Sequence, residues 1–191
     1  MQHFYCISRE SLLAYATERL HNGFYPDPRV PMSATAQPAA EQSTTDRIEK
    51  KFTVNAPRSR VWRAIEDPKE FGTWFRMNFD RPFVEGGTVS GKLTHPGYEH
   101  ITVDLLIERI MPESYFSYRW HPYAVDPKVD YSQEPTTLVE FMLEEVKDGT
   151  AVTIIESGFD RIPLGRRAEA FRQNGKGWDG QAKNLAKHVE A

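Results

Sequence analysis

PLGRRAEAFRQNGKGWDGQAKNLAKHVE, residues 163–190, is the stretch that decides the fold class of this protein. Its apolar and small side chains recur every three or four residues, which is the spacing of one face of an α-helix. The register runs through Gly175 and Gly177, although each glycine costs a helix about 1 kcal/mol relative to alanine. The sequence therefore predicts one continuous helix from Pro163 to Glu190. Its predicted inner face carries Leu164, Ala168, Phe171, Asn174, Trp178, Ala182, Leu185 and Val189.

Such a long helix needs a broad apolar partner, and the rest of the sequence offers a sheet. Short runs of residues alternate apolar with polar side chains, the pattern of strands with one buried face. Asp148-Gly149 joins two of these runs and predicts a tight hairpin. Residues 121–135, HPYAVDPKVDYSQEP, predict a long loop, and long loops in compact domains are often functional. The predicted strands are Arg47–Val54, Thr88–Leu93, Ile101–Ile110, Tyr115–Trp120, Thr137–Val146 and Thr150–Ser157.

Two short helices are predicted between the first two of these strands. Asn55 is suited to cap the first helix, with Pro57 in its first turn, and Asp67-Pro68 begins the second. The order of strand, two helices, consecutive antiparallel strands and long helix defines a two-layer α+β fold. The apolar sides of the short helices are formed by Val61, Trp62 and Ile65 and by Phe71, Trp74 and Phe75.

The predicted inner face of the sheet is aromatic and includes one carboxylate. A curved sheet under a straight helix tends to leave space, and the small residues Ala168, Gly175 and Ala182 on the helix widen it. The sequence alone leaves open whether aromatic rings fill that space. The inner set comprises Phe116, Tyr118, Trp120, Val139, Phe141, Leu143, Val152, Ile154 and Glu156.

Residues 1–45 differ in composition from the rest of the chain. The run PDPRVPMSATAQPAAEQSTT is rich in Pro, Ala, Ser and Thr, which is linker composition. Two interpretations stay open: a flexible N-terminal extension, or a natural start at Met32 with an upstream start assigned by mistake. We expect the folded, ligand-binding domain to span residues 46–191.

The composition argues against several functional classes. A formal net charge of −3 without a basic block gives no reason to expect nucleic acid or an anionic membrane as a partner. Cys6 is the single cysteine, so an intramolecular disulfide and a cysteine metal cluster are excluded. No apolar run is long enough for a transmembrane helix. These features favour a cytoplasmic protein.

Three segments together resemble the START-like (SRPBCC) superfamily, and most of all its branch related to the activator of heat-shock-protein-90 ATPase. They are RIEKKFTVNAPRSRVWRAIEDPKEFGTWF, the hairpin TTLVEFMLEEVKDGTAVTIIESGF with Glu156, Gly158 and Phe159, and Gly177-Trp178 in the last helix. The resemblance covers about residues 46–191. It implies a helix-grip (birch-allergen-like) fold, with six or seven strands around a hydrophobic pocket. Superfamily members include lipid and polyketide binders, cyclases and co-chaperone domains, so the fold leaves the function open.

The candidate ligand-binding residues are aromatic side chains of the inner face and the long helix, together with Glu156. Core packing is the alternative for every aromatic ring; it is favoured for Trp62, balanced against pocket lining for Trp74 and Trp120, and less favoured for Trp178. His121, beside Tyr123 in the long loop, is either a ligand contact or an exposed turn histidine. The candidates are Trp74, Phe116, Tyr118, Trp120, His121, Phe141, Glu156, Phe159 and Trp178.

Glu156 is also the candidate for a catalytic group. Facing inward, it would be a carboxyl whose pKa is raised by desolvation, suited to binding a ligand hydroxyl or to proton transfer. The alternative is a glutamate at the rim, paired with Arg119 or Arg161. The loop histidines do not have the spacing of a zinc site, and the glycines do not form a phosphate loop, so no metal or cofactor is expected.

Three functions follow from these observations. The leading one is binding of a small hydrophobic molecule, aromatic or lipid-like, because the inner face has few polar groups. The second is a cyclase, dehydratase or isomerase that uses Glu156 with His121 or Tyr118. The third, implied only by the family branch, is a chaperone-partner domain, although the N-terminal chaperone-binding module of the eukaryotic activators is not recognisable in residues 1–45.

Overall fold

The structure is a computed structural model that describes residues 45–191 of the chain. The expectations for the preceding segment, including the start at Met32, lie outside the described residues. Residues 45–191 form one sheet, three α-helices and a single turn of 3-10 helix at Phe159–Arg161.

The seven strands of residues 45–191 pair into one antiparallel sheet. They are β1 (Arg47–Val54), β2 (Met77–Phe79), β3 (Thr88–Leu93), β4 (Thr102–Met111), β5 (Tyr115–Trp120), β6 (Thr137–Val146) and β7 (Gly149–Ser157). Their order across the sheet is β1-β7-β6-β5-β4-β3-β2. The first strand, β1, therefore pairs with the last, β7. From β2 to β7, each strand lies beside the one that follows it in the sequence.

The strand predictions are confirmed to within one residue at each end, with one omission. The three residues of β2 are too few to show an alternating pattern, so this edge strand could not be recognised. The predicted hairpin is present, with Lys147 and Asp148 in the turn and Val146 paired with Gly149. Gly149 has φ 144°, and a Cβ there would collide with the carbonyl of Val54, so both the backbone and the space require glycine.

Two short helices, α1 (Arg58–Glu66) and α2 (Pro68–Phe75), connect β1 to β2. Asp67 caps α2 as predicted, because its carboxylate accepts from the backbone N–H groups of Lys69 at 2.8 Å and Glu70 at 3.2 Å. The predicted cap of α1 is wrong. Pro57 occupies the N-cap position, two residues later than predicted, and the N–H of Asn55 instead donates to the Glu190 carboxylate at 2.8 Å.

The long helix, α3 (Leu164–Val189), runs unbroken through its internal glycines, as predicted. Its first turns depart from the predicted face: Leu164 is 82% exposed and Ala168 is also exposed. The reason is that polar contacts fix this end of the helix, including Arg167 Nε to the carbonyl of Ile162 at 3.0 Å. The buried residues of α3 are Ala170, Asn174, Trp178, Leu185 and Val189. Among residues 45–191, none of the helices combines the length and the apolar character that a membrane span needs.

Aromatic rings fill much of the interior between the sheet and the short helices. Phe71 lies at the centre of this cluster, 4.6 Å from the ring of Trp74, 6.1 Å from Phe141 and 6.4 Å from both Phe116 and Tyr118. Rings at such distances pack in tilted and edge-to-face arrangements that favour a dense core. The space expected under the helix is therefore partly filled by side chains. The part that stays open lies beside α3, toward the β2–β5 side of the sheet.

Candidate functional site

A cavity of about 670 Å³ lies between the middle of α3 and the part of the sheet formed by β2 to β5. Small-molecule pockets typically have volumes of roughly 300–1,000 Å³. The apolar part of its wall consists of Phe75, Met77, Leu93, Ile101, Val103, Trp120, Tyr123, Ala124, Val125 and Trp178. Its polar part consists of Arg76, His95, Tyr98, His121, Gln173, Asn174, Lys176, Gln181 and Asn184.

Three of the lining side chains are anchored on one carboxylate, that of Glu156. Trp120 Nε1 donates to Glu156 Oε1 at 2.7 Å, and Trp178 Nε1 donates to Oε2 at 2.6 Å. Asn174 Nδ2 lies 2.9 Å from Oε1 and 3.0 Å from Oε2. The hydroxyl of Thr137 donates to Oε1 at 2.7 Å. Glu156 therefore accepts hydrogen bonds from four neutral side chains.

Sheet register and helix spacing bring these five residues together. Trp120 pairs with Thr137 where β5 and β6 meet, and Glu156 pairs with the Val139 of β6, two residues further along. Because side chains two apart on a strand share a face, the Glu156 carboxylate lies on the inner face beside Thr137. Asn174 and Trp178 are four residues apart and project from the same face of α3. The carboxylate thus connects three strands to the long helix.

Burial is the main electrostatic influence on Glu156, which is fully inaccessible to solvent. Desolvation raises the pKa of its carboxyl above the ordinary value of 4.5, because the charged form loses its hydration. The hydrogen bonds from Thr137, Trp178, Trp120 and Asn174 act in the opposite direction and offset part of that rise. The pKa remains raised because all four partners are neutral.

Only three of the nine predicted site residues line the cavity: Trp120, His121 and Trp178. Glu156 lies behind them and does not reach the cavity wall. The other five are buried in the core, and the Trp74 indole donates to the carbonyl of Ala64 at 2.8 Å. These five are Trp74, Phe116, Tyr118, Phe141 and Phe159. Four of them lie deeper in the molecule, where inward-facing rings of β5 and β6 pack against α2. The fifth, Phe159, packs instead against the ring of Phe171 on α3, at 5.2 Å.

Several lining residues were not predicted, and their positions explain why. Arg76 follows directly after α2 and has a left-handed backbone with φ 62°, which no sequence signal indicates because glycine is the usual residue there. Leu93, Ile101 and Val103 belong to the β3–β4 side, whose alternation predicts strands but not a cavity. Asn174 was expected on the inner face of the helix, and its polarity was the signal that a buried partner exists.

The long loop after β5 closes one side of the cavity and is attached to α3 by Arg166. The guanidinium donates to the Glu134 carboxylate at 2.6 Å and to the carbonyl of Pro122 at 2.8 Å. It also lies 4.8 Å from the ring centre of Tyr131. His121 Nε2 donates to the carbonyl of Glu134 at 3.1 Å, which joins the two ends of the loop. Tyr123, within this loop, therefore has a defined place in the cavity wall.

The described residues offer no site for a metal ion. In residues 45–191, no three His, Cys, Asp or Glu side chains come close enough together to hold one. Glu156 is surrounded by hydrogen-bond donors, which are unsuited to share a cation with it.

A seven-stranded antiparallel sheet with a long C-terminal helix beside an apolar cavity defines a helix-grip protein of the SRPBCC class. The chain belongs to the family described as Activator of Hsp90 ATPase homolog 1-like protein, whose model matches residues 55–190. The resemblance seen in the sequence is thereby confirmed.

Solved structures share the fold at low sequence identity. DynU16, from the dynemicin biosynthetic locus, is 22% identical with a TM-score of 0.60; the match covers 76% of this chain and 48% of DynU16, so this chain spans about half of that protein. Protein MLL2253 from Mesorhizobium loti is 20% identical with a TM-score of 0.60, over 75% of this chain and 96% of its own. The Aha1 dimer from Colwellia psychrerythraea is 16% identical with a TM-score of 0.57, and the match covers 75% of this chain and 96% of the Aha1 chain. No curated protein matches the chain.

Proposed function

We propose that this protein binds a small, largely apolar molecule in the cavity beside α3. The observation that carries the proposal is a wall of aromatic and aliphatic side chains around about 670 Å³, in a domain whose deeper interior is filled by packed rings. Apolar walls gain about 25 cal/mol for each Å² that a ligand removes from water. The fold commonly supports such binding among its relatives.

Two glycines of α3 support the proposal, because they enlarge the cavity without serving the packing. Gly177 and Gly180 both line it, and a Cβ at either position would meet no atom within 4 Å. Glycine inside a helix costs about 1 kcal/mol relative to alanine. Close packing does not require glycine at these two positions, whereas a cavity wall without side chains leaves more room for a ligand.

The anchoring of Trp120, Asn174 and Trp178 on Glu156 is the second support. A binding site works best when its walls are already in place, since ordering them on binding weakens affinity. The two indoles and the amide are fixed by hydrogen bonds to a single carboxylate that the cavity does not reach. Glu156 is in this view a positioning residue for the wall.

The enzymatic alternative has less support from this geometry. A general acid or base must come within hydrogen-bond reach of the proton it transfers. The Glu156 carboxylate is separated from the cavity by the residues that donate to it, and its oxygens are already engaged. The chaperone-partner alternative rests on the family description alone.

Fluorescence titration of the full chain with N-phenylnaphthylamine, a neutral apolar dye, tests the proposal. We expect saturable binding with an increase in emission as the dye leaves water. Gly177→Leu should weaken binding by about tenfold, because a side chain forced into an occupied space costs 1–3 kcal/mol and 1.4 kcal/mol is tenfold in affinity. Leucine is a better helix former than glycine, so loss of binding would not reflect an unfolded helix.

Gly165→Leu is the matched control. Gly165 also lies in α3 with open space around it, but it is in the first turn and outside the cavity wall. This variant should bind the dye as the unchanged protein does. If Gly177→Leu bound the dye equally well, the cavity would not be the binding site and the proposal would be wrong.

A further inference from the structure

The fixed charges in the cavity wall are all positive. Among the lining residues that the structure describes, Arg76 and Lys176 carry permanent charges, and none is Asp or Glu. His95 and His121 add two side chains that become positive on protonation. The chain as a whole carries a formal net charge of −3. The positive wall is therefore a local feature of the cavity and not a consequence of a basic composition.

Arg76 is held at the cavity by an unusual backbone conformation. Its φ of 62° ends α2, with its own N–H bonded to the carbonyl of Gly72 and its carbonyl accepting from the N–H of Thr94 at 3.0 Å. Left-handed backbone disfavours every residue with a side chain, so glycine is the common choice at this position. Tyr123, with φ 49°, also lines the cavity. Unfavourable backbone conformations of this kind cluster at functional sites.

The two cations have no carboxylate partner of their own. Within residues 45–191, neither Arg76 nor Lys176 forms an ion pair, whereas other cations do, as Arg119 does with Glu108 at 2.6 Å. The pKa of the Glu169 carboxyl is lowered first by a hydrogen bond from Gln173 and then by Arg172, with the charge of Lys176 a smaller contribution. Both cationic side chains are exposed at the cavity and available to an anion.

We propose that the ligand of this cavity is an amphiphilic anion, with an apolar ring or chain and a single carboxylate or equivalent acidic group. This inference rests on the proposed function and specifies its ligand class. The apolar body packs against Trp120, Trp178 and the aliphatic wall. The acidic group lies at the exposed side of the cavity, the side to which Arg76 and Lys176 contribute positive charge.

Glu156 fixes this orientation. Its carboxylate lies behind the indoles at the inner end of the wall, where Trp120, Asn174 and Trp178 already donate to it. A ligand anion placed there would find these three donors occupied and would face a like charge whenever Glu156 is ionised. The exposed side, with two unpaired cations, is the favourable place for the acidic group.

A pair of dyes with one skeleton tests the inference. Anilinonaphthalene sulfonate carries an acidic group on the same aromatic frame that N-phenylnaphthylamine presents without charge. We expect the anionic dye to bind the full chain more tightly than the neutral dye. Added salt should weaken binding of the anionic dye and leave binding of the neutral dye unchanged, because screening acts only on the charged ligand.

Three variants locate the charge effect. Arg76→Gln and Lys176→Gln should each lower the affinity for the anionic dye by about threefold, the effect of losing one exposed ion pair. The affinity for the neutral dye should fall by much less. Arg76→Gly should give the same loss while keeping or raising the melting temperature, because glycine suits φ 62°. Lys183→Gln is the control: it removes an exposed charge of α3 outside the cavity wall and should change neither dye.

The outcomes separate this inference from the proposed function. If neither dye binds, the binding function itself is wrong. If the neutral dye binds as tightly as the anionic one, or if Lys183→Gln weakens the anionic dye as much as Arg76→Gln does, the cavity binds apolar molecules without selecting anions and the inference is overturned.

Discussion

The indoles of Trp120 and Trp178 lie 6.1 Å apart and donate to opposite oxygens of one buried carboxylate. Trp120 is the last residue of a strand and Trp178 is in the middle of the long helix. Their shared acceptor, Glu156, therefore sets the distance between sheet and helix at the position where the cavity begins. A change at this carboxylate should alter both the stability of the fold and the shape of the cavity wall.

Glu156→Gln should destabilise the protein by about 1–3 kcal/mol, the cost of leaving a buried polar group without its partner. Both carboxyl oxygens can accept hydrogen bonds whether or not the group is protonated, whereas glutamine replaces one of them with an NH₂ group that only donates and therefore faces at least one donor. Urea unfolding measures the loss, and near-ultraviolet circular dichroism reports the altered indoles. The control is Glu144→Gln, an exposed glutamate of β6, which should stay within about 0.5 kcal/mol of the unchanged protein. Equal stability of the two variants would contradict the anchoring role.

Stability should also depend on pH through Glu156. Its pKa is raised by burial above 4.5, so the folded chain holds a proton that the unfolded chain has already released. The stabilisation that comes from the raised pKa of Glu156 is complete below pH 4.5 and is lost as pH rises through the folded-state pKa. Tyr118, the other buried titratable group that senses this charge, has a pKa raised well above 10 and stays neutral in this range.

The difference in unfolding free energy between the unchanged protein and Glu156→Gln isolates this dependence. This difference should be largest below pH 4.5 and should shrink as pH rises toward neutral. Other carboxyls, such as Glu70 with its lowered pKa, act equally in both proteins and cancel. A difference that is constant over the pH series, or that grows with pH, would show that the pKa of Glu156 is not raised.

Local patterns were enough to predict the elements but not the convergence of side chains on Glu156. Alternation defines a strand such as β6, and three- and four-residue spacing defines α3, because both are properties of consecutive residues. The meeting of Trp120 with Trp178 depends on strand register and on where the helix crosses the sheet, which no short segment encodes. Leu164 shows the same limit: its spacing fits the inner face, yet that end of α3 is fixed by arginine contacts and the side chain is exposed.

Tyr118→Phe should leave stability unchanged or raise it by about 1 kcal/mol. The Tyr118 hydroxyl is fully buried and has no hydrogen-bond partner among the described residues, so removing it relieves an unsatisfied polar group. Tyr115→Phe on the same strand is the matched comparison. Its hydroxyl donates to Glu140 at 2.7 Å, and losing that bond should cost about 0.5–1.5 kcal/mol. Urea unfolding of both variants measures the contrast. A clear loss of stability in Tyr118→Phe would mean that the buried hydroxyl is satisfied after all.

Arg166→Ala should release the loop of residues 121–136 from α3 and thereby weaken ligand binding. The guanidinium contacts Glu134, the carbonyl of Pro122 and the ring of Tyr131, which together fix the loop segment that lines the cavity. Hydrogen exchange measured by mass spectrometry should show faster exchange in this loop while the strands stay protected. Binding of the neutral dye should weaken in parallel, because the wall formed by this segment is no longer pre-arranged.

Arg172→Ala is the control for this prediction. Arg172 is an exposed residue of the same helix and pairs only with Glu169, one turn away, so neither loop exchange nor dye binding should change. The comparison separates attachment of the loop from a general loss of helix charge. Faster exchange throughout the domain in Arg166→Ala would mean that the arginine stabilises the whole fold. Unchanged exchange in the loop would mean that other contacts, such as the bond between His121 and the carbonyl of Glu134, are sufficient to fix it.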